Sequence, residues 1–338
     1  MNSLYPIKFK PILKDRIWGD GKLHQVLGKK NISPTTGESW EISSVAGDIS
    51  IVDNGFLKHN NLQELIEVYM GDLLGDKVYE QFGIEFPLLI KFIDANDDLS
   101  IQVHPNDQLA RERHNSFGKT EMWYVMDTNP GASLISGFNR EVSKEEYLEA
   151  LNQKSLATIL NRVQTSPGDV FFIPAGRIHA IGAGILLAEI QQTSDITYRL
   201  YDWDRVDQHG NPRELHTDLA LDAIDYHHYN NIKTICEDKL NEVINLVTCT
   251  YFTTNKLRFN IPVERDYIDL DSFVIYMCCS GSFDLIYNDA QKIEVVKGET
   301  ILLPATLKYV RCIPKNQAEL LEIYIDWCGN VEIQMCKL

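Results

Sequence analysis

Cysteine is scarce in this chain and is missing from its first 235 residues. The seven cysteines lie between Cys236 and Cys336, and no two of them form a C-x-x-C pair. An odd number of thiols without such pairs is not typical of a disulfide framework. The distribution therefore indicates reduced thiols.

Long hydrophobic runs are also absent. Nowhere do 18 apolar residues follow one another, so the sequence predicts no membrane-spanning helix. Residues 1–19 have no apolar stretch between charged flanks, so they predict no signal peptide. With 44% hydrophobic and 24% charged residues, the composition is ordinary for a soluble globular protein. We expect roughly two domains on the length prior and a cytoplasmic location.

Positive charge is in short supply. The chain has 32 lysines and arginines against 48 aspartates and glutamates, a formal net charge of −16. Nucleic acids and anionic membranes both favour a basic surface, so neither is an expected partner. A small anionic ligand is compatible with this charge, provided that a local cluster of cations surrounds it.

Short apolar strands dominate what the sequence does contain, and Gly, Pro, Asn or Asp bounds most of them. This pattern is typical of a β-sandwich or barrel. The predicted strands are residues 37–44, 86–94, 99–105, 121–126, 169–175, 185–192, 273–279, 283–287 and 300–305. Three amphipathic stretches predict helices that decorate this mainly β protein: residues 61–75, 143–160 (opened by a Ser143–Glu146 capping box) and 216–228.

An internal repeat divides the chain. Residues 167–180 align without gaps on residues 297–310, an offset of 130 residues. A glycine, an acidic residue, an apolar run and Pro-Ala recur in the same order in both segments. The repeat predicts two related β-barrels. The second copy has Tyr309 where the first has His179, so we expect the second barrel to lack the chemistry of that histidine.

One predicted strand carries polar groups along one face. Residues 99–105, "LSIQVHP", place Ser100, Gln102 and His104 on the same side, because side chains alternate along a strand. Such a face is most often only solvent-exposed. Together with Glu121 and His179, however, it offers two imidazoles, a carboxylate and an amide oxygen. This mixed set suits a divalent first-row metal, zinc first, and without thiolates it is the pattern of a catalytic site.

Four segments of the chain carry a resemblance to a known family. "FPLLIKFIDANDDLSIQVHP", "GKTEMWYV", "PGDVFFIPAGRIHAIGAG" and "QTSDITYRLYDWDR" follow one another between residues 86 and 205. Together they resemble the type I mannose-6-phosphate isomerases, in the short bacterial form of this zinc-dependent cupin family. The resemblance implies a mainly β fold of two cupin (jelly-roll) barrels with a small helical insertion at about 143–160. We expect a catalytic barrel over residues 1–240 and a C-terminal cupin-like barrel, without a metal site, over residues 241–338.

The same resemblance assigns residues to roles. It implies one zinc ion per chain, held by Gln102, His104, Glu121 and His179. It implies catalytic roles for Arg199 and Lys119, and a phosphosugar pocket lined by Lys91, Ser100, Lys119 and Arg199. Lys91, Lys119 and Arg199 also supply the cations that a dianionic phosphate needs in an acidic protein.

The implied reaction is the interconversion of mannose 6-phosphate and fructose 6-phosphate through a cis-enediol(ate). A small phosphosugar is then the expected partner, and the chain is a monomer or a homodimer. The base stays open between a carboxylate, a metal-bound water and Lys119, which would need a lowered pKa. Two alternatives are another metal-dependent cupin enzyme, such as an oxygenase or decarboxylase, and a non-catalytic sugar-phosphate-binding regulator.

Three further features receive weaker interpretations. Arg16, within residues 14–21, is expected to have a structural role rather than to reach the phosphate. Residues 201–216 are polar and contain Gly and Pro, so they are predicted to form a lip of the pocket. The remaining histidines of this region have no matching carboxylates and are predicted to be bystanders: His209, His216, His227 and His228.

Overall fold

The protein folds into antiparallel β-sheets with a few short helices. In the computed structural model, residues 3–206, 209–327 and 334–335 are described. The strands are β1 (Ile7–Lys8), β2 (Ile12–Asp15), β3 (Thr36–Ile42), β4 (Leu88–Ala95), β5 (Ile101–Val103), β6 (Glu121–Thr128), β7 (Ser133–Phe138), β8 (Leu160–Gln164), β9 (Val170–Ile173), β10 (His179–Ala180), β11 (Ile185–Gln192), β12 (Tyr198–Tyr201), β13 (Lys233–Thr234), β14 (Val243–Thr248), β15 (Thr253–Phe259), β16 (Val263–Asp266), β17 (Val274–Ser280), β18 (Ser282–Tyr287), β19 (Gln291–Val296), β20 (Thr300–Leu303), β21 (Tyr309–Pro314), β22 (Ala318–Tyr324) and β23 (Gln334–Met335). The predicted mainly β fold class is confirmed.

The helices are short. The α-helices are α1 (Lys22–Gln25), α2 (Leu62–Leu74), α3 (Asp76–Phe82), α4 (Asp107–His114), α5 (Lys144–Asn152) and α6 (Thr217–Ala220), and 3-10 turns cover Leu156–Ile159 and Asn288–Ala290. None of the helices in the described part of the chain is long and apolar enough to cross a membrane.

The strands of the two halves follow the same order. The first half forms a seven-stranded sheet, β13-β9-β6-β11-β4-β3-β2, and a five-stranded sheet, β12-β5-β10-β7-β8. The second half forms a seven-stranded sheet, β1-β20-β17-β22-β15-β14-β23, and a four-stranded sheet, β16-β21-β18-β19. β9 and β20, which the repeat aligns, occupy the same place in the two large sheets. Strand β1 lies in the second large sheet although it begins the chain.

The central strands of the large sheets are buried on both faces. β4 and β11 pair along their whole length, and every residue of both is buried. Ile90 and Phe92 point toward the second large sheet, where they share one core with Ile275 and Ile323. Alternate residues of the same strands, Lys91 among them, therefore face the space between the first large sheet and the five-stranded sheet.

Two of the three predicted helices form where their capping residues place them. Asn61 caps α2 and Ser143 caps α5, each with a complete capping box. The prediction for residues 143–160 overruns, because α5 ends at Asn152 and a 3-10 turn leads into β8. The helix predicted over residues 216–228 is wrong beyond Ala220. There the Asp225 N–H bonds to the Gly176 carbonyl, a tertiary contact that replaces the helical one.

The described cysteines behave as the sequence predicts. Cys249, Cys278, Cys279 and Cys312 are free and buried. Burial raises the pKa of the Cys249 thiol to about 11 and that of Cys278 to about 12. These thiols are therefore protonated and act as small apolar side chains. Cys328 and Cys336 lie outside the residues whose side chains are described.

One buried carboxyl makes the stability of the fold depend on pH. Asp94 on β4 is 1% exposed, and its Oδ2 accepts a hydrogen bond from the Lys22 backbone N–H at 2.7 Å. Its Oδ1 has no hydrogen-bond partner among the described residues. Burial raises the pKa of Asp94 to about 6, although the backbone N–H groups of Lys22 and Leu23 oppose the shift.

We expect Asp94→Asn to stabilise the protein increasingly between about pH 4 and pH 7. In this window the wild-type carboxyl ionises in the unfolded chain before it ionises in the folded one, so the free energy of unfolding falls as the pH rises. After allowance for solvent screening the loss is about 2 kcal/mol. Urea unfolding of both proteins across this range measures the difference, with the exposed Asp269→Asn as control. A gap that stays constant with pH would contradict the prediction.

Candidate functional site

The two sheets of the first half bring the predicted metal ligands together. Within the five-stranded sheet, His179 on β10 pairs directly with Gln102 on β5, and His104 follows that strand. Glu121 begins β6 of the large sheet and faces them from the opposite wall. His104, Glu121 and His179 are all buried, and Gln102 is half-buried.

These side chains form a compact cluster. The ligand atoms of His104, Glu121 and His179 all lie within 4.8 Å of one another, and this is the one such group of three in the part of the chain that is described. His104 Nε2 lies 3.6 Å from Glu121 Oε2, and His179 Nε2 lies 3.3 Å from Glu121 Oε1. The Gln102 amide nitrogen is 3.2 Å from His179 Nε2. A half-turn of the amide places the Gln102 oxygen at the same point.

Both imidazoles present a lone pair to the cluster. His104 Nδ1 donates to the Ile196 carbonyl at 2.9 Å, and His179 Nδ1 donates to the Arg177 carbonyl at 2.8 Å. These bonds leave each Nε2 as the unprotonated nitrogen, the arrangement that metal-ligating histidines commonly show. Burial lowers the pKa of His179 to about 4 and that of His104 well below its usual range. Both rings are therefore neutral at pH 7.

The carboxylate of Glu121 lacks ordinary hydrogen-bond partners. It is completely buried, and neither oxygen accepts a well-aligned hydrogen bond from any described residue. Its one close cation is Lys119, whose Nζ lies 3.0 Å from Oε2. Burial raises the pKa of Glu121 to about 7, against the influence of Lys119. An unsatisfied buried carboxylate between two neutral imidazoles fits a divalent metal ion.

Lys119 lies at the edge of the cluster as a cation. Its Nζ is 3.2 Å from His104 Nε2 as well as 3.0 Å from Glu121. Burial alone would lower the pKa of Lys119, but the carboxylates of Glu121 and Glu189 outweigh burial and raise it. The lowered pKa that a lysine base needs is therefore not observed.

A cavity of about 400 Å³ opens above the cluster. The predicted residues on its wall are Lys91, Ser100, Gln102, Lys119 and Arg199. Its charged lining comprises five cations, Arg16, Lys91, Lys119, Arg199 and Arg213, and three carboxylates, Glu38, Glu189 and Asp195. This strongly acidic chain thus surrounds the cavity with an excess of positive charge, which favours an anionic ligand.

Most of these cations already have partners, but Arg199 has no carboxylate partner among the described residues. Lys91 Nζ lies 3.0 Å from Glu189 Oε1 and 2.7 Å from Gln191 Oε1. Arg199 Nη1 donates only to the Glu214 carbonyl, at 2.8 Å, and its Nε is buried without a partner. The Arg199 guanidinium therefore has donors left for a ligand on the cavity wall.

Sequence reasoning missed several members of the wall. Glu189 accepts from both Lys91 and the Trp123 indole, and the neighbouring lysines outweigh burial and lower its pKa to about 2. The signal was present, because Glu189 and Lys91 each stand inside a buried apolar run and lie opposite each other. Arg16 lines the cavity while paired with Glu38, so it has a structural partner and also a place on the wall.

The polar segment predicted as a lip contributes to the site from one side. Arg213 lies on the cavity wall and pairs with Asp202 through its Nε at 2.6 Å. His216 Nδ1 accepts from the Arg199 backbone N–H at 3.2 Å, so it supports the strand that carries Arg199. His227 pairs with Asp225 and is not part of the cluster.

A mainly β fold with a buried cluster of two imidazoles and a carboxylate beneath a cationic cavity defines a class, the enzymes that work with a metal on a β-scaffold. The family model "Phosphomannose isomerase type I, catalytic domain" matches residues 7–133. The chain therefore belongs to the type I phosphomannose isomerase family, a metal-dependent family, and is an isomerase. The resemblance found in the sequence is confirmed.

Relatives cover almost the whole chain. Mannose-6-phosphate isomerase ManA of Bacillus subtilis (strain 168) is 36% identical over 320 residues, which are 91% of this chain and 98% of that protein. Mannose-6-phosphate isomerase of Streptococcus mutans is 34% identical over 304 residues, 90% and 93% of the two chains. The crystal structure of the mannose 6-phosphate isomerase from Bacillus subtilis superimposes with a TM-score of 0.86 at 34% identity, covering 95% of this chain and all of that one.

Proposed function

We propose that this protein interconverts mannose 6-phosphate and fructose 6-phosphate. The observation that carries the proposal is the buried His104–Glu121–His179 cluster beneath a cationic cavity on whose wall Arg199 has no carboxylate partner. Relatives that share about a third of their residues with this chain, over nearly its full length, are named for this isomerase activity.

We propose one zinc ion per chain, held by Gln102, His104, Glu121 and His179. The two Nε2 lone pairs, the Glu121 carboxylate and the Gln102 oxygen form the nitrogen and oxygen donor set that zinc accepts in catalytic sites. When bound, the ion supplies positive charge next to the sugar oxygens of the substrate.

The cavity residues bind the phosphosugar. Arg199 offers a forked guanidinium to phosphate or to a sugar oxygen, and Ser100 offers a hydroxyl on the same wall. Lys91 is held by Glu189 and Gln191, so it fixes the shape of the wall and keeps a positive charge next to the ligand. These contacts orient an opened sugar chain over Lys119.

The isomerisation itself moves one proton. A base removes the proton on C2 of the opened aldose, the electrons form a cis-enediol(ate), and the proton returns to C1. Protonated Lys119 stabilises the oxygen that gains charge, which is commonly the largest contribution to such a step. Among the carboxylates on the wall, Glu38 and Glu189 are neutralised by cations, which leaves Asp195 as the carboxylate suited to act as base.

Chelation tests the activity and the metal together. We expect wild-type protein to form fructose 6-phosphate from mannose 6-phosphate, to lose this activity with its zinc, and to recover it when zinc is restored. A coupled assay of fructose 6-phosphate and metal analysis measure both quantities on the same sample. Bound metal without turnover would overturn the proposed substrate.

The same assay separates the alternatives. Another metal-dependent cupin enzyme, such as an oxygenase, would require oxygen for turnover, whereas isomerisation proceeds without it. A non-catalytic regulator would bind mannose 6-phosphate tightly and leave it unchanged. Running the assay with and without oxygen, next to a binding measurement, tells the three apart.

Three further expectations complete the proposal. The two halves are proposed to be a catalytic cupin barrel over residues 1–240 and a second barrel over residues 241–338. The protein is proposed to work in the cytoplasm on a small phosphosugar, as a monomer or a homodimer. Size measurement in solution decides the oligomeric state.

A further inference from the structure

A buried hydrogen-bond chain connects the second half of the protein to the neighbourhood of the site. Tyr251 follows β14 in the turn that leads to β15, and its hydroxyl donates to Asp107 Oδ2 at 2.6 Å. Burial and the Asp107 carboxylate raise the pKa of this phenol, so the donor proton stays in place. The other oxygen, Asp107 Oδ1, accepts from the Gly118 backbone N–H at 2.9 Å and from Gln192 Nε2 at 3.0 Å.

The chain ends on the residue between Lys119 and Glu121. Gln192 is buried, and its Oε1 accepts from the Thr120 backbone N–H at 2.8 Å. The Gln192 backbone N–H donates back to the Thr120 carbonyl at 3.1 Å. Gln192 therefore clamps Thr120 from both sides of its peptide unit.

Residues 118–120 are also pressed against the start of α4. A Cβ on Gly118 would lie 2.6 Å from the Asp107 backbone nitrogen, a distance that side chains do not tolerate. The Lys119 backbone N–H donates to the Pro105 carbonyl at 3.1 Å, next to His104. Three successive backbone N–H groups thus have fixed acceptors, two of which are the side chains of Asp107 and Gln192.

We propose that Tyr251, Asp107 and Gln192 are positioning residues, which hold Lys119 and Glu121 at their distances from the two histidines. The Glu121 carboxylate has no well-aligned hydrogen bond of its own, so the backbone of residues 118–121 sets its place. Supporting groups of this kind are needed to keep a site within a fraction of an ångström. The inference rests on the proposed function only in that Lys119 and Glu121 act in the reaction.

The matched control is a second tyrosine that bridges the two halves. The Tyr124 hydroxyl donates to Glu319 Oε1 at 2.6 Å, and this phenol pKa is also raised by burial and by a carboxylate. Tyr124 lies on β6, but its side chain belongs to the core between the two large sheets, on the face away from the site. Tyr124→Phe therefore removes an equivalent bridge without touching residues 118–121.

The experiment compares Tyr251→Phe with Tyr124→Phe in the full-length protein. Three quantities are measured: amide hydrogen exchange of residues 118–120 in metal-free protein, zinc affinity by chelator competition, and kcat and KM with mannose 6-phosphate. We expect Tyr251→Phe to speed exchange at these amides, to weaken zinc binding about tenfold and to lower kcat about tenfold with KM within about twofold. Tyr124→Phe is expected to leave all three at the wild-type values.

Equal behaviour of the two variants would overturn the inference, since both bridges would then only join the halves. Asp107→Asn, which keeps an oxygen for Gly118 and Gln192 but loses the acceptor of Tyr251, is expected to reproduce Tyr251→Phe. If wild-type protein shows no turnover, the proposed function fails, and hydrogen exchange still decides the positioning role. If turnover is normal and residues 118–120 stay protected in Tyr251→Phe, the positioning role alone fails.

Discussion

Replacing Glu121 with glutamine is expected to abolish both metal binding and isomerase activity. The carboxylate is the charged member of the cluster, with one oxygen 3.3 Å from His179 Nε2 and the other 3.6 Å from His104 Nε2. A neutral amide of the same size keeps the shape and removes the charge that attracts a dication. Because partners beyond the direct ligands are already worth roughly 10- to 100-fold, we expect zinc affinity and kcat/KM to fall by about 100-fold or more. Metal analysis and the fructose 6-phosphate assay measure the two losses.

A buried glutamate outside the site is the control for Glu121→Gln. Glu322 is 1% exposed on β22 and pairs with Arg265 through its Oε1 at 2.8 Å. Glu322→Gln is expected to lower the melting temperature and to keep zinc content and activity per folded molecule. If Glu121→Gln binds zinc as the wild type does, the cluster is not the metal site.

Replacing Arg199 with alanine is expected to lower kcat by about 100- to 1000-fold, the usual cost of losing one donor to a charged transition state. Arg199 loses only the bond to the Glu214 carbonyl within the protein, so the fold and the zinc content should stay near wild type. Steady-state kinetics and metal analysis on the same preparation measure this. Arg199→Lys should recover part of the loss, because it restores the charge without the fork.

The kinetics also decide what Arg199 does. A fall in kcat places the guanidinium in the transition state, whereas an unchanged kcat with a raised KM assigns it to substrate binding alone and removes it from the chemistry. Arg140→Ala serves as the control, since Arg140 is an exposed arginine paired with Glu146 far along the chain from the cavity residues.

Much of the candidate site could be predicted from the sequence because its residues stand in unusual surroundings. Gln102 and His104 alternate with apolar residues on a short strand, and His179 follows a Pro-Ala-Gly turn after a buried run. Period-two alternation fixes which face each side chain occupies. The structure brings these residues together with Glu121, as expected, although it does not test their catalytic roles.

The partners of these residues could not be predicted in the same way. Whether Lys91 meets Glu189 depends on the register between β4 and β11, which are about 100 residues apart in the chain. The same holds for Tyr251 and Asp107, which belong to different halves. The failed helix at residues 221–228 has a similar cause, since a tertiary hydrogen bond to Gly176 overrides the local helical pattern.

The place of β1 has a consequence for how this chain is made. Ile7 and Lys8 pair with Leu302 and Ile301 of β20, so residues that leave the ribosome among the first wait for nearly the whole polypeptide before they find a partner. Such a distant pairing is slow to form, because the entropy of closing a loop of almost 300 residues is lost before any contact compensates it. The edge of β20 stays open until β1 arrives. A nascent or truncated chain that lacks either strand therefore exposes a strand edge ready for intermolecular pairing.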